Sequence, residues 1–193
     1  MASILKRGFG LALAVLLLAG CTQESAETTA RPDPVHFESG DECHVCGMAI
    51  TRFPGPKGEA FPEKGEKVQK FCSTRDLFAW LLQPENKNRD HTLYVHDMAR
   101  ADWHEPDDRH LIDAREAWYV VGSEKTGAMG PTLASFASQD DAAAFAGEFG
   151  GNVLAFKEVT MAHLNQGMSM GGMAGMENME SVDGGTDADS VQH

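Results

Sequence analysis

Phe71-Cys72-Ser73-Thr74-Arg75-Asp76 and Phe136-Ala137-Ser138-Gln139-Asp140-Asp141 share the pattern Phe-x-Ser-x-x-Asp. A serine followed three residues later by an acid resembles a capping box, with Asp where Glu or Gln is usual, so each copy starts a helix. After the first copy, Leu77, Trp80 and Leu81 share one face before Pro84 stops the run. After the second, Asp141 to Phe149 is rich in Ala and ends at Gly150-Gly151. Short runs carrying Tyr, Val, Leu or Phe in partial alternation flank both helices and read as strands. They cover 48–53, 67–72 and 92–98 around the first helix, and 118–123, 131–136 and 152–159 around the second. The order strand, strand, helix, strand is thus written twice. Units of about 55 residues are marginal alone, so two ββαβ units, 39–110 and 111–164, are expected to pack together as an α+β fold.

The 193-residue chain carries 16 Lys and Arg against 29 Asp and Glu, a formal charge of -13. That balance repels phosphate backbones and excludes nucleic acid as a partner. Residues 1–20 have a basic start at Lys6 and Arg7, an apolar run from Leu11 to Leu18, and then small residues. This is a secretory signal pattern, too short for a membrane span of about 20 apolar residues. Leu18-Ala19-Gly20-Cys21 resembles a bacterial lipobox, which makes Cys21 the expected lipidation site and the mature N-terminus. Several acyl chains, at about 0.8 kcal/mol per buried methylene, make such an anchor effectively permanent. By resemblance to other lipoproteins, Thr22 after the cysteine favours the outer membrane, so the expected location is the periplasm, on a lipid tether. Residues 21–38 read as a flexible linker rich in Thr, Glu and Pro. Residues 165–193 hold Gly, Ser, Met and acids with no Lys, Arg or aromatic residue, and read as a Met-rich disordered tail.

With Cys21 set aside, Cys43, Cys46 and Cys72 remain, an odd number of thiols for an oxidising compartment. The central motif is Cys43-His44-Val45-Cys46-Gly47-Met48. Its Cys-x-x-Cys pair fits a redox dithiol, half of a zinc site, or ligands for a softer metal. Zinc is disfavoured because no second ligand pair at finger-like spacing follows. A redox dithiol is expected at a helix start, where the dipole lowers a thiol pKa, whereas this motif runs into a β-rich segment. In an extended chain Cys46 and Met48 face the same way, and a thiolate beside a thioether suits Cu(I). Met129 lies in the glycine-rich loop Thr126-Gly127-Ala128-Met129-Gly130-Pro131, where a large apolar residue is either a chance exposure or a ligand. Met168, Met170, Met173, Met176 and Met179 are interspersed with glycines that disfavour a helix, and read as a segment that collects or passes Cu(I). Cys43 and His44 are secondary candidates; His96, His104, His110 and His163 are weaker alternatives. Cys72 reads as a buried small residue ahead of a helix and is left unassigned.

Together these residues resemble the NosL family, copper-binding lipoproteins that accompany nitrous oxide reductase. The likeness rests on Asp41-x-Cys43-x-x-Cys46-Gly47-Met48-x-Ile50, Pro54-Gly55-Pro56, Ile112-Asp113-Ala114-Arg115, Trp118 to Ser123 and Met129-Gly130-Pro131, and spans about Asp41 to Val159. The resemblance implies a mononuclear Cu(I) site made by Cys46, Met48 and Met129. It also implies two ββαβ units akin to organomercurial lyase, and delivery of copper for the copper-sulfide cluster of the reductase. The leading expectation is therefore a metallochaperone, not an enzyme. A thiol-disulfide oxidoreductase using Cys43 and Cys46 is the alternative, and organomercury cleavage is suggested by fold kinship alone.

Overall fold

The computed structural model describes residues 31–62 and 67–165, and from Pro32 onward they form one compact unit. Helices begin where the two serines place them. Ser73 is extended and its Oγ accepts the Asp76 amide at 3.1 Å, opening α1 (Thr74–Leu81). A short α2 (Pro84–Lys87) follows with proline in its first turn. Ser138 repeats the cap on the Asp141 amide at 3.1 Å and opens α3 (Gln139–Phe149). That helix ends at Gly150 and Gly151, both at positive φ, a conformation open to glycine at little cost.

Four strands form the first antiparallel sheet: β1 (Gly58–Phe61), β2 (Gln69–Phe71), β3 (Thr92–His96) and β4 (Leu111–Asp113), in the order β2-β1-β3-β4. After β5 (Trp118–Val121), β6 (Thr126–Gly127) and β7 (Gly130–Pro131) pair as a small hairpin. β8 (Ala134–Phe136) and β9 (Asn152–Ala155) flank β5 in a second sheet, order β8-β5-β9. In the first sheet β1 is flanked by β2 and β3, with β4, from the start of the expected second unit, added beside β3; in the second, β5 is flanked by β8 and β9.

Three of the expected strands are placed differently. Residues 48–53 hold a 3-10 turn, Ile50–Arg52, and the strand is Gly58–Phe61 instead. The Ile50 amide donates to the Asp41 carbonyl at 3.0 Å, folding this stretch back on its own approach, while Pro54 and Pro56 have no amide to offer a ladder. The run 131–136 divides between the β6-β7 hairpin and β8. The run 152–159 stops at Ala155, where the Glu158 carboxylate accepts the Ala155 amide at 2.7 Å and turns the chain into a 3-10 segment.

The core forms where α1 lies on the first sheet. Leu77 covers Gly58 so closely that a Cβ there would stand 2.9 Å from Leu77 Cδ2, so the absence of a side chain sets the helix–sheet spacing. Phe78 meets Tyr119 edge to face with ring centroids 4.9 Å apart, and the Tyr119 hydroxyl donates to the Ala114 carbonyl at 2.7 Å. Fully burying such side chains is worth roughly 1.5–3 kcal/mol each. A smaller cluster of Val120, Ala134, Phe136 and Ala142, with Phe145 against it, seats α3 on the second sheet.

Several buried strand residues are polar, Glu59, His96 and Ser135 among them. Glu59, in the central strand β1, is fully buried and accepts the Val35 amide at 3.0 Å. Burial pushes its carboxyl up to about 7, opposed in part by the Val35 amide and the Lys70 charge. A carboxyl raised on folding keeps its proton between the ordinary glutamate range and about 7. Its contribution to stability is complete below that window and is lost as pH climbs through it. Thermal melts of the wild type are therefore expected to fall from pH 5 to 7.5 relative to Glu59→Gln. A constant offset between the two proteins across that range contradicts this reading.

Candidate metal centre

The motif Cys43 to Met48 forms a tight loop, not the extended run expected from sequence. Glu42 and Ala49 are bridged, the Cys43 amide donates to Met48 O at 2.9 Å, and the Gly47 amide donates to Cys43 O at 2.8 Å. Gly47 turns the chain at φ +71°, a region that glycine occupies without a Cβ clash. A further bond, His44 N to Lys70 O at 2.8 Å, fastens the loop to β2. The register then brings the loop beside the β2–α1 junction, where Cys72 follows the strand and Asp76 lies in the first helical turn.

Four ligand atoms converge there: the sulfurs of Cys43, Cys46 and Cys72 and a carboxylate oxygen of Asp76, all within 4.8 Å of one another. Cys46 Sγ is 3.5 Å from Cys72 Sγ. The Asp76 carboxylate accepts from Cys72 at 3.1 Å and from Cys43 at 3.5 Å. All three cysteines are free thiols. Cys43, Cys72 and Asp76 are buried, whereas Cys46 reaches partly to the surface. In the second copy of the Phe-x-Ser-x-x-Asp pattern the Asp141 carboxylate instead accepts its own cap, Ser138 Oγ, at 2.6 Å.

Crowding separates the three thiols. Hydrogen bonding from Cys72, helped by nearby backbone amides and opposed by burial, holds Cys43 down to about 6. Cys72 is driven far up, first by its bond to Cys43, then by burial and by the Asp76 charge. Burial raises Cys46 as well. Burial lowers the Lys57 amine to about 8. Lys57 Nζ donates to the carbonyls of Phe53 and Pro54. Three soft sulfurs and one carboxylate suit a thiophilic ion in preference to a hard one.

The other residues singled out by sequence fall as follows. Met48 is half-buried and packs with Cys46 against the main core. Met129, half-exposed, lies in the loop of the β6-β7 hairpin. Just beyond that hairpin, Thr132 Oγ1 is 3.2 Å from Thr74 Oγ1, and Thr74 Oγ1 also donates to Leu133 O. The segment just after the hairpin is thereby docked on the first turn of α1, and Ala128, like Cys46 and Met48, packs against the main core. His44 is exposed, edge-on to Phe71 and Trp80. His96 is committed elsewhere: its Nδ1 accepts the Lys57 amide at 3.1 Å and its Nε2 lies 3.1 Å from Asp108. His163 caps the turn at 160–163. Cys21 and the methionines from Met168 to Met179 lie outside the described residues.

Cys72 and Asp76 are the two members that sequence reasoning left out. One signal was available: the repeat keeps Phe, Ser and Asp in both copies but has Ala137 where the first copy has Cys72. A cysteine is therefore not required by the local fold, which leaves a chemical reason for it.

Residues 34–164 match the NosL family model. A copper-binding lipoprotein NosL of Stutzerimonas stutzeri is 55% identical over 170 residues, covering 86% of this chain and 88% of that protein. Another from Achromobacter cycloclastes is 37% identical over 155 residues, 79% of each. Among solved structures, the copper chaperone NosL from Shewanella denitrificans superposes with a TM-score of 0.66 at 52% identity, covering 67% of this chain and 97% of that one. The chain belongs to the NosL family.

Proposed function

We propose that this protein carries Cu(I) as cargo, holding it through Cys46, Met48 and Met129, and surrenders it by ligand exchange for assembly of the copper-sulfide cluster of nitrous oxide reductase. The observation that carries this reading is the position of Cys46, the partly exposed member of an otherwise buried thiol cluster. A buried thiolate cage retains its ion. A thiolate at the rim, assisted by weaker thioethers, lets an acceptor's ligands enter before the donor's leave, and Cu(I) tolerates the low coordination this needs. Contact of Thr132 and Leu133, just after the Met129 hairpin, with Thr74 supports a contribution from both units. The names of the relatives, copper-binding lipoprotein and copper chaperone, agree with a carrier. Cys43 and His44 are secondary ligands in this reading, and the methionines from Met168 to Met179 are an acquisition segment for the same ion.

Anaerobic Cu(I) titration of the full chain against a competing chelator tests the site. We expect one tightly held ion, an affinity loss of well over about tenfold in Cys46→Ser, and smaller losses in Met48→Leu and Met129→Leu. Undiminished binding after all three replacements contradicts the assignment. Incubating the loaded chain with copper-free reductase should move copper to the acceptor, and Cys46→Ser should transfer none.

In its native setting the carrier is proposed to be tethered to the periplasmic face of the outer membrane through lipidated Cys21. Cys21→Ser should move the protein from the membrane fraction to the soluble periplasm, and a variant that still sediments with outer membranes contradicts the tether.

A further inference from the structure

The Cys-x-x-Cys spacing suggests that Cys43 and Cys46 would pair on oxidation, but the geometry points to another couple. We propose that Cys46 and Cys72 form a site of reversible thiol oxidation, closed by a small-molecule or protein disulfide, and that this crosslink and copper loading exclude each other. The second half rests on the proposed role of Cys46 as a copper ligand; the first half does not.

Three observations carry it. Among Cys43, Cys46 and Cys72, Cys46 is the one that reaches the surface, so an incoming disulfide meets it first. Its sulfur stands 3.5 Å from that of Cys72, and closing to a bond of about 2.05 Å needs about 1.5 Å of movement. Cys46 is carried on a turn whose glycine neighbour has open space around it, whereas Cys72 is fixed between β2 and the capped start of α1. Cys43 is bound at both ends of its peptide unit, through the Met48 carbonyl and the Gly47 amide, and its thiol is engaged by Asp76.

The exchange balances without any further reagent. The Cys46 sulfur attacks one sulfur of the added disulfide, forming a mixed disulfide and releasing one thiol. The Cys72 sulfur, giving its proton to the Asp76 carboxylate it faces at 3.1 Å, then attacks Cys46 Sγ, forming the internal bond and releasing the second thiol, which takes up that proton. Cys46 and Cys72 are oxidised, the added disulfide is reduced, and the two thiol protons end on the two released thiols. A disulfide sulfur lacks the charge that makes a thiolate a strong Cu(I) ligand, so the crosslinked protein loses its principal donor. A bound cuprous ion in turn occupies the sulfur that the oxidant must reach. Loading then requires prior action of a dithiol reductant on this pair.

The test uses the full-length protein, reduced, freed of metal and incubated anaerobically with oxidised glutathione. Free thiols are alkylated, and peptides are mapped without reduction. We expect a link joining the peptides of Cys46 and Cys72 with Cys43 alkylated, a fall in Cu(I) affinity of at least about tenfold, and recovery with dithiothreitol. Cys72→Ser should form no internal link and should stop at a mixed disulfide between Cys46 and glutathione. A Cys43–Cys46 link, or only mixed disulfides with glutathione, overturns the proposal. A Cys46–Cys72 link that leaves copper binding intact overturns the exclusion. Failure of the reduced protein to bind Cu(I), with the link still forming, refutes the carrier reading while the oxidation site stands.

Discussion

A carboxylate shut away from water must find its hydrogen bonds inside the protein, and Asp76 finds two of them in thiols. An unsatisfied buried acceptor costs about 1–3 kcal/mol, more when charged, so this arrangement ties together the three segments that meet at Asp76. The Cys43 loop, the end of β2 and the first turn of α1 are each held by their own backbone bonds. The carboxylate is where they are brought to a single point. Cys46 stands at the edge of this cluster, 3.5 Å from Cys72, where the proposed oxidation and copper exchange meet.

The same crowding supplies the chemistry. The protons that Asp76 shares with two thiols are ones a cation can displace, because a metal that binds thiolates releases their protons. Lys57 is buried and its amine is held by the carbonyls of Phe53 and Pro54. The division between buried Cys43 and Cys72 and the more exposed Cys46 then separates two roles, keeping the pocket's shape and meeting the outside.

Local rules were read well from sequence, and long-range ones were not. Ser73 and Ser138 announce their helices because a cap needs only the residues within one turn. Gly150 and Gly151 announce a helix end for the same reason. The strand Gly58–Phe61 escaped notice because it contains a glycine chosen by the overlying Leu77 and a glutamate buried at its centre, neither of which signals a strand. Residues 48–53 looked like a strand by composition, yet their hydrogen bonds go to their own loop. For the site, Cys43 and Cys46 were legible as candidate ligands from their Cys-x-x-Cys spacing, while the extended run expected for Cys46 and Met48 is a tight loop. Cys72 and Asp76 were not, since nothing local reveals that β2 pairs beside the Cys43 loop. The contrast between Cys72 and Ala137 in the repeat was the one clue in the chain itself.

Sulfur coordination at the copper centre tests the account most directly. X-ray absorption at the copper edge of the anaerobically loaded full chain should show Cu(I) with a shell dominated by sulfur. Cys46→Ser should lose one sulfur from that shell or fail to hold the ion. A shell of nitrogen and oxygen alone in the wild type, or one that is unchanged in Cys46→Ser, would contradict it.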